Sequence, residues 1–221
     1  YESPHDRASI EAEIIRLNTA GNAELAARAG LVAQFPTFTW ISDITTVNTS
    51  SGTSKLRLQT RNRQGRNRLV VCNLPDRSYS AKVSDRELHF SDAARYEAYV
   101  KAVASQLQRY PDVSVAIALE PDSIGNPPAH ECLLGLAVAL LQLPNVSLYL
   151  DSAHAGRLGW PGNVAPTGAI LGEILNSAKT HGANVTVRGL MTNVSDYDGF
   201  GNKEQQGRDE VKYINDLLYP C

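Results

Sequence analysis

Three cysteines, one methionine and two tryptophans are all that this 221-residue chain holds of the residues that most often mark metal centres, adaptable cores and stacking surfaces. Cys72, Cys132 and Cys221 lie far apart, so the short ligand spacing of a structural zinc site is absent. Their odd number leaves at least one thiol free, or paired between chains in an oxidising compartment. No apolar run reaches the roughly 18 residues needed to span a bilayer. The first residues, Tyr1-Glu2-Ser3-Pro4, carry neither the basic nor the apolar part of a secretory leader, so a secreted protein is expected to have lost it already. A formal net charge of −2 gives no general pull toward nucleic acid or membrane. The Gly-x-Ser-x-Gly elbow, the phosphate-binding loop, the dinucleotide fingerprint and His-Glu-x-x-His are all missing, which removes most serine hydrolases, nucleotide enzymes and zincins. Neither a metal nor another cofactor is expected.

What is present fits an ordinary globular domain, with 43% apolar and 20% charged residues and no linker dividing residues 1–221. Ile10 to Leu31 has helical apolar spacing, with Ser9 as N-cap and Glu11 and Glu13 in the first turn. Five short β-branched or aromatic runs come next: Phe35 to Ile41, Arg68 to Leu74, Val113 to Leu119, Val146 to Leu150 and Val185 to Met191. Helical patterns at Ser91 to Arg109, Cys132 to Leu143, Gly168 to Thr180 and Asp209 to Leu218 fall among and after them. The alternation predicts an α/β fold with a mostly parallel sheet covered by helices.

In such folds the loops after the strands converge on one rim. That rim receives Trp40, then Asn73 to Ser78 with Asp76 and Arg77, then Glu120-Pro121-Asp122-Ser123, then Asp151-Ser152-Ala153-His154, and finally Thr192-Asn193. Asp122, just past an apolar strand and beside Glu120, has the setting that keeps a carboxyl protonated as a general acid; it could equally cap a helix. His154 could bind a hydroxyl or act as a base, or simply hold a loop. Trp40 and Trp160 fall at strand ends, where indole faces suit sugar rings or pack the barrel mouth. The stretch from Lys55 to Arg68 holds six basic and no acidic residues, and the near-neutral total favours a solvated helix there over an anion-binding face. Sequons at Asn48, Asn145, Asn184 and Asn193 are compatible with secretion.

Leu-Pro-Asp-Arg (74–77), Leu-Glu-Pro-Asp-Ser (119–123), Leu-Pro-Asn-Val (143–146), Tyr-Leu-Asp-Ser-Ala-His-Ala-Gly (149–156), Leu-Gly-Trp (158–160) and Met-Thr-Asn-Val (191–194), in this order, resemble glycoside hydrolase family 6. The resemblance runs from about Phe35 to the C-terminus. It implies a distorted β/α barrel and inverting hydrolysis of β-1,4-glucan in a cleft or tunnel. It further implies Asp122 as general acid, Ser84 as a holder of the attacking water, and sugar contacts at Trp40, His154 and Trp160, with Asp76, Arg77, Asp151 and Asn193 on the binding rim.

The departures from the family pattern are local. Cys72 and Ser78 stand where the family has a tyrosine that helps distort the sugar and an aspartate that tunes the acid and assists the water. Ser78 can only relay a proton by hydrogen bonding. Tyr79 replaces a disulfide cysteine, the loop after Asn126 is short, and Arg157 replaces a stacking tryptophan. Family members continue beyond Cys221 with closing strands and further sugar contacts, so an incomplete barrel is expected, covered by the N-terminal segment or by a second chain. Two readings result. One is a secreted β-1,4-glucanase, weakened or inactive, using Asp122 with water activated through Ser78 and Ser84. The other is a non-catalytic carbohydrate-binding or regulatory protein. A fragment of an ordinary enzyme would not explain Cys72 and Ser78.

Overall fold

The computed structural model describes residues 4–34, 37–47, 67–76, 88–124, 129–182, 184–196, 198–200 and 209–219. Ser78, Ser84, Arg77 and the basic stretch before Asn67 lie outside these residues.

Two helices, α1 (Pro4–Thr19) and α2 (Ala23–Val32), replace the single entry helix that the spacing suggests. Gly21 at φ 77° ends the first: the Gly21 and Asn22 amides turn back to the carbonyls of Asn18 and Leu17 at 3.0 and 2.9 Å. Only glycine reaches that conformation without Cβ crowding. The two helices pack on each other, and their buried residues, Leu17 and Ala26, lie outside the main core.

Strands β1 (Thr39–Ile41), β2 (Asn67–Val71), β3 (Val115–Leu119), β4 (Val146–Asp151) and β5 (Gly189–Met191) form one parallel sheet in sequence order. Helices α3 (Ile44–Val47), α4 (Ala93–Gln108), α5 (Ala129–Leu140), α6 (Ala155–Leu158), α7 (Pro161–Thr180) and α8 (Glu210–Leu218) complete the described elements, with a short 3-10 turn at Phe90–Asp92. Register sets Leu69 beside Ile117 and Leu148, and Val71 beside Leu119 and Leu150. These side chains join Tyr96, Tyr99, Val103 and Leu107 of α4, Leu134 and Val138 of α5, and Ile174 of α7 in the main core. Each fully buried aliphatic side chain contributes about 1.5–3 kcal/mol relative to exposure. Alternate residues, Val70, Cys72 and Ala118, face the other way and pack with Phe38, Met191 and Val194.

A cavity of about 560 Å³ on that inner side is lined by Thr37, Phe38, Trp40, Val70, Met191, Thr192 and Val194. Its walls come from β1 and β5, the two outermost strands, so the sheet curls like the wall of a barrel without closing. The residues lining this cavity include none from α1 or α2.

Several strands are shorter than their apolar runs, β2 by ending sooner and β1, β3 and β5 by starting later. After Val71 the amides of Asn73 and Leu74 turn to the Glu120 carboxylate rather than to a neighbouring strand. Before β5, the Thr186 amide donates to Gln142 Oε1, and pairing with β4 begins only at the Arg188 amide. Helix α7 starts at Pro161, seven residues before the expected Gly168, and runs through Pro166. A proline at the first position removes no hydrogen bond, and Pro166 near the start removes one.

Candidate active site

Backbone conformation marks the rim. Asp76, Glu120, Asp122, Ala153 and Asn193, the described non-glycine residues with positive φ, all come after the C-terminal ends of β2, β3, β4 or β5. Left-handed backbone is costly outside glycine and least so for Asn and Asp, and it concentrates where a scaffold aims side chains at a site.

Glu120 and Asp122 point in different directions. Glu120 is fully buried and turned toward β2: Oε1 accepts from the Asn73 amide at 2.9 Å and the Tyr96 hydroxyl at 3.1 Å, and Oε2 accepts from the Leu74 amide at 2.9 Å. Burial, with the Glu120 charge beside it, holds the Tyr96 hydroxyl well above the usual tyrosine range. Glu120 is therefore not the carboxylate that neighbours the Asp122 side chain, contrary to what their adjacency in sequence suggests.

Asp122 is half-buried, and Ser195 Oγ donates to its Oδ2 at 2.6 Å. Its amide donates to Asp151 Oδ1 at 2.9 Å, and Arg157 Nη1 donates to its carbonyl at 3.2 Å. Asp151 is buried, and its Oδ1 also accepts from the Ala153 amide at 2.7 Å, whereas Oδ2 has no hydrogen-bond partner among the described residues. Burial, reinforced by the charges of Asp122 and Glu210 and opposed by the two backbone amides, pushes the Asp151 carboxyl up to about 8. Glu210, on the first turn of α8, is buried too: Oε1 accepts from the Ala155 amide at 2.7 Å, and Oε2 has no described partner.

His154 stands between two aspartates that sequence patterning does not single out. Nδ1 faces Asp198 Oδ2 at 2.8 Å and Nε2 faces Asp196 Oδ2 at 3.3 Å. Asp198 is held by the Gly156 amide at 2.7 Å and by a reciprocal pair with Asn193: its amide donates to Asn193 Oδ1, and Asn193 Nδ2 donates to its carbonyl, both at 2.9 Å. Gly156 is needed there, because a Cβ would sit 2.5 Å from Asp198 Oδ2. Two groupings, Asp122 with His154 and Asp196, and His154 with Asp198 and Glu210, bring potential ligand atoms within 4.8 Å of one another. A carboxylate lies opposite each ring nitrogen of His154, in the direction a metal would need, so we assign no metal to either grouping.

The remaining rim residues lie elsewhere along the strand ends. Trp40 is 44% exposed on the cavity wall, and Trp160 is 46% exposed at the start of α7, with its ring nitrogen donating to the Gly156 carbonyl at 3.1 Å. Asp76 is buried after β2, its amide bonded to the Leu88 carbonyl. The structure thus brings Asp122, Asp151, His154 and Asn193 into one network and sets Trp40 on the adjoining wall. Sequence reasoning misses Asp196, Asp198, Ser195 and Glu210, and the only signal for the aspartates is acidic spacing just after Asn193-Val194-Ser195.

The model of the family described as Glycosyl hydrolases family 6 matches residues 1–219. The chain belongs to family 6. Among its relatives, a protein described as probable 1,4-beta-D-glucan cellobiohydrolase C of Aspergillus fumigatus is 34% identical over 87% of this chain and 48% of its own length. The family 6 enzyme CcCel6C of Coprinopsis cinerea superposes with a TM-score of 0.81 at 32% identity, covering 99% of this chain and 66% of that one. The cellobiohydrolase Cel6A of Humicola insolens, solved with glucose and cellotetraose, superposes at 0.78 with 27% identity, covering 98% and 66%. The family 6 chain spans about half the length of the curated relative it matches. No helix among its described residues is long and apolar enough to cross a membrane.

Proposed function

We propose that this family 6 chain is a secreted protein that binds β-1,4-glucan and hydrolyses it with inversion, slowly, with Asp122 as general acid. One observation carries the reading. Val194 lines the cavity that Trp40 walls, and the next residue, Ser195, donates to the Asp122 carboxyl, so a sugar ring stacked on the indole would run toward the acid. On this reading Asp122 gives its proton to the glycosidic oxygen as the bond breaks, and water attacks the anomeric carbon from the opposite face. Ser78 and Ser84 would hold that water without a carboxylate to take its proton, which lowers the rate by roughly 10²- to 10⁴-fold. The H. insolens relative, solved with cellotetraose, supports the substrate class.

A second reading, glucan binding without turnover, is favoured by Cys72, a buried thiol on the inner face where the family pattern has a catalytic tyrosine. Incubation with cello-oligosaccharides separates the two, with reducing ends and product anomers measured beside calorimetric binding. Turnover abolished in Asp122→Ala supports the hydrolase. Binding without turnover in the unmodified protein leaves the second reading.

A further inference from the structure

We propose that Asp196 is the proton partner of Asp122, the two carboxyl groups sharing one proton, with His154 fixed by Asp198 as the group that exchanges that proton with solvent. The role assigned to Asp122 in catalysis rests on the hydrolase reading above; the proton pair itself rests on geometry.

Asp122 stands on the turn after β3 and Asp196 on the stretch after β5, and a carboxyl oxygen of each comes within 4.8 Å of the other and of His154. Two carboxyl groups this close repel each other unless one of them holds a proton. Ser195, next in sequence to Asp196, donates to Asp122 Oδ2 at 2.6 Å, so the same short segment supplies Asp122 with both a hydroxyl and a carboxyl neighbour. His154 Nε2 lies 3.3 Å from Asp196 on the far side, and Asp198 anchors Nδ1 at 2.8 Å. Asp198 is itself locked by Gly156 and Asn193, which makes the ring orientation a property of the fold. Partial burial pushes the Asp196 carboxyl up, His154 pulls it back, and the charges of Asp122 and Asp198 push it further up.

The charges around this pair favour proton uptake. Asp122, Asp196, Asp198 and Glu210 converge from the ends of β3 and β5 and from α8, against His154 and Arg157, whose Nη1 bonds the Asp122 backbone, while the Asp151 carboxyl at the end of β4, pushed up to about 8 by burial, holds its own proton. Tyr213 of α8 adds no charge, since burial pushes its hydroxyl up and it donates to the Ser152 carbonyl. Asp151 is poorly placed to be the partner instead, because it is buried and its bonded oxygen holds two backbone amides. Asp196 is partly exposed, at 34% of its side chain, and the adjoining ring can pass a proton to water. During turnover Asp122 would lose its proton to the leaving oxygen. It would regain one through Asp196 and His154 from solvent, while the attacking water releases its proton to solvent, so the net change is one water consumed. Asp196 is thus a positioning residue that acts through Asp122.

Carboxyl-carbon NMR titration of the full chain, its Asp196→Asn and Asp122→Asn variants, and pH–rate profiles on cello-oligosaccharides test this. In the unmodified protein Asp122 and Asp196 are expected to titrate as a coupled pair in two steps separated by more than about 1 pH unit. Either substitution should leave the survivor titrating in one step at lower pH. The alkaline limb of kcat/KM should move down by about 1 unit in Asp196→Asn, a roughly tenfold loss at neutral pH that fades toward pH 5, and Asp196→Glu should restore part of it. Independent titration of the two groups overturns the proposal, as does turnover whose alkaline limb ignores Asp196→Asn. Coupled titration in a protein without turnover sinks the hydrolase reading and leaves the proton pair standing.

Discussion

Two buried carboxylates on neighbouring strand ends have different surroundings. Glu120, after β3, has both oxygens bonded, to two amides and a tyrosine hydroxyl. Asp151, at the end of β4, has two amides on one oxygen and no described partner on the other. A buried charge whose hydrogen-bonding capacity is met ties elements together, and one left half-met raises its proton affinity instead. The Glu120 side is a joint between β2, β3 and α4. The Asp151 side, shared with Asp122, Asp196, His154 and Glu210, holds its charges under mutual repulsion, an arrangement suited to moving protons. On the hydrolase reading, proton delivery to the leaving oxygen would therefore fall to the β3, β4 and β5 side of the rim.

The largest effect should come from breaking the joint. Glu120→Ala strands two buried amides and the Tyr96 hydroxyl, and each unsatisfied buried group costs about 1–3 kcal/mol. A loss on the order of 3–5 kcal/mol is expected in urea unfolding, enough to unfold a marginal domain. A loss below about 1 kcal/mol would show that the joint is dispensable.

Next in size is the chemical side. Asp122→Asn keeps the shape of a half-buried side chain, so unfolding should shift by less than about 1 kcal/mol. Hydrolysis of cello-oligosaccharides should fall by at least roughly 10²-fold, measured as reducing ends. Equal damage to stability and rate would erase the contrast between the two ends.

Asp151→Asn sharpens the contrast through pH. The Asp151 carboxyl holds its proton to about pH 8 when folded and releases it near the ordinary value of 3.8 when unfolded. Between those values the folded state binds the extra proton, so this group lowers stability as pH rises from about 4 to about 8, and the effect levels off above that. Asparagine can still accept both amides on Oδ1 and does not titrate. The unfolding free energy of Asp151→Asn from urea titration should therefore fall less between pH 5 and pH 8 than that of the unmodified chain, by an amount on the order of 1–3 kcal/mol. Identical slopes would place the proton elsewhere.

The scaffold is legible in the sequence and half of the network is not. Nearly continuous apolar runs such as Val113 to Leu119 reveal a parallel strand, and the polar residues just past each strand reveal the rim, which is how Asp122, Asp151 and His154 can be placed together. Apolar runs overstate strand length where a side chain takes over a backbone partner, as Glu120 does for Asn73 and Leu74 and Gln142 does for Thr186. Asp196 and Asp198 are invisible because a loop has no periodicity; their meaning comes only from β5 lying beside β4. Glu210 reads as an ordinary acidic residue in the first turn of a helix, and nothing local reveals that its partner is the Ala155 amide.

The smallest effect applies the same donor accounting to the sequons. Asn145 Nδ2 donates to the carbonyls of Leu107, Tyr110 and Val113 at 3.3, 3.0 and 3.2 Å, closing the end of α4, and Asn193 Nδ2 donates to Asp198. A glycan on either nitrogen would break these bonds and force a sugar into packed backbone. Asn184 is exposed in the loop between α7 and β5, with Thr186 two residues on. Expressed through a eukaryotic secretory pathway, the protein should carry glycan at Asn184 and none at Asn145 or Asn193 in peptide mass spectrometry. Removing it with Asn184→Gln should change stability by less than about 0.5 kcal/mol, because no described packing depends on that side chain. Occupancy at Asn193 would be the more damaging result, since it would mean that the loop holding Asp196 and Asp198 forms after glycosylation and that its bonds to His154 are weaker than their geometry implies.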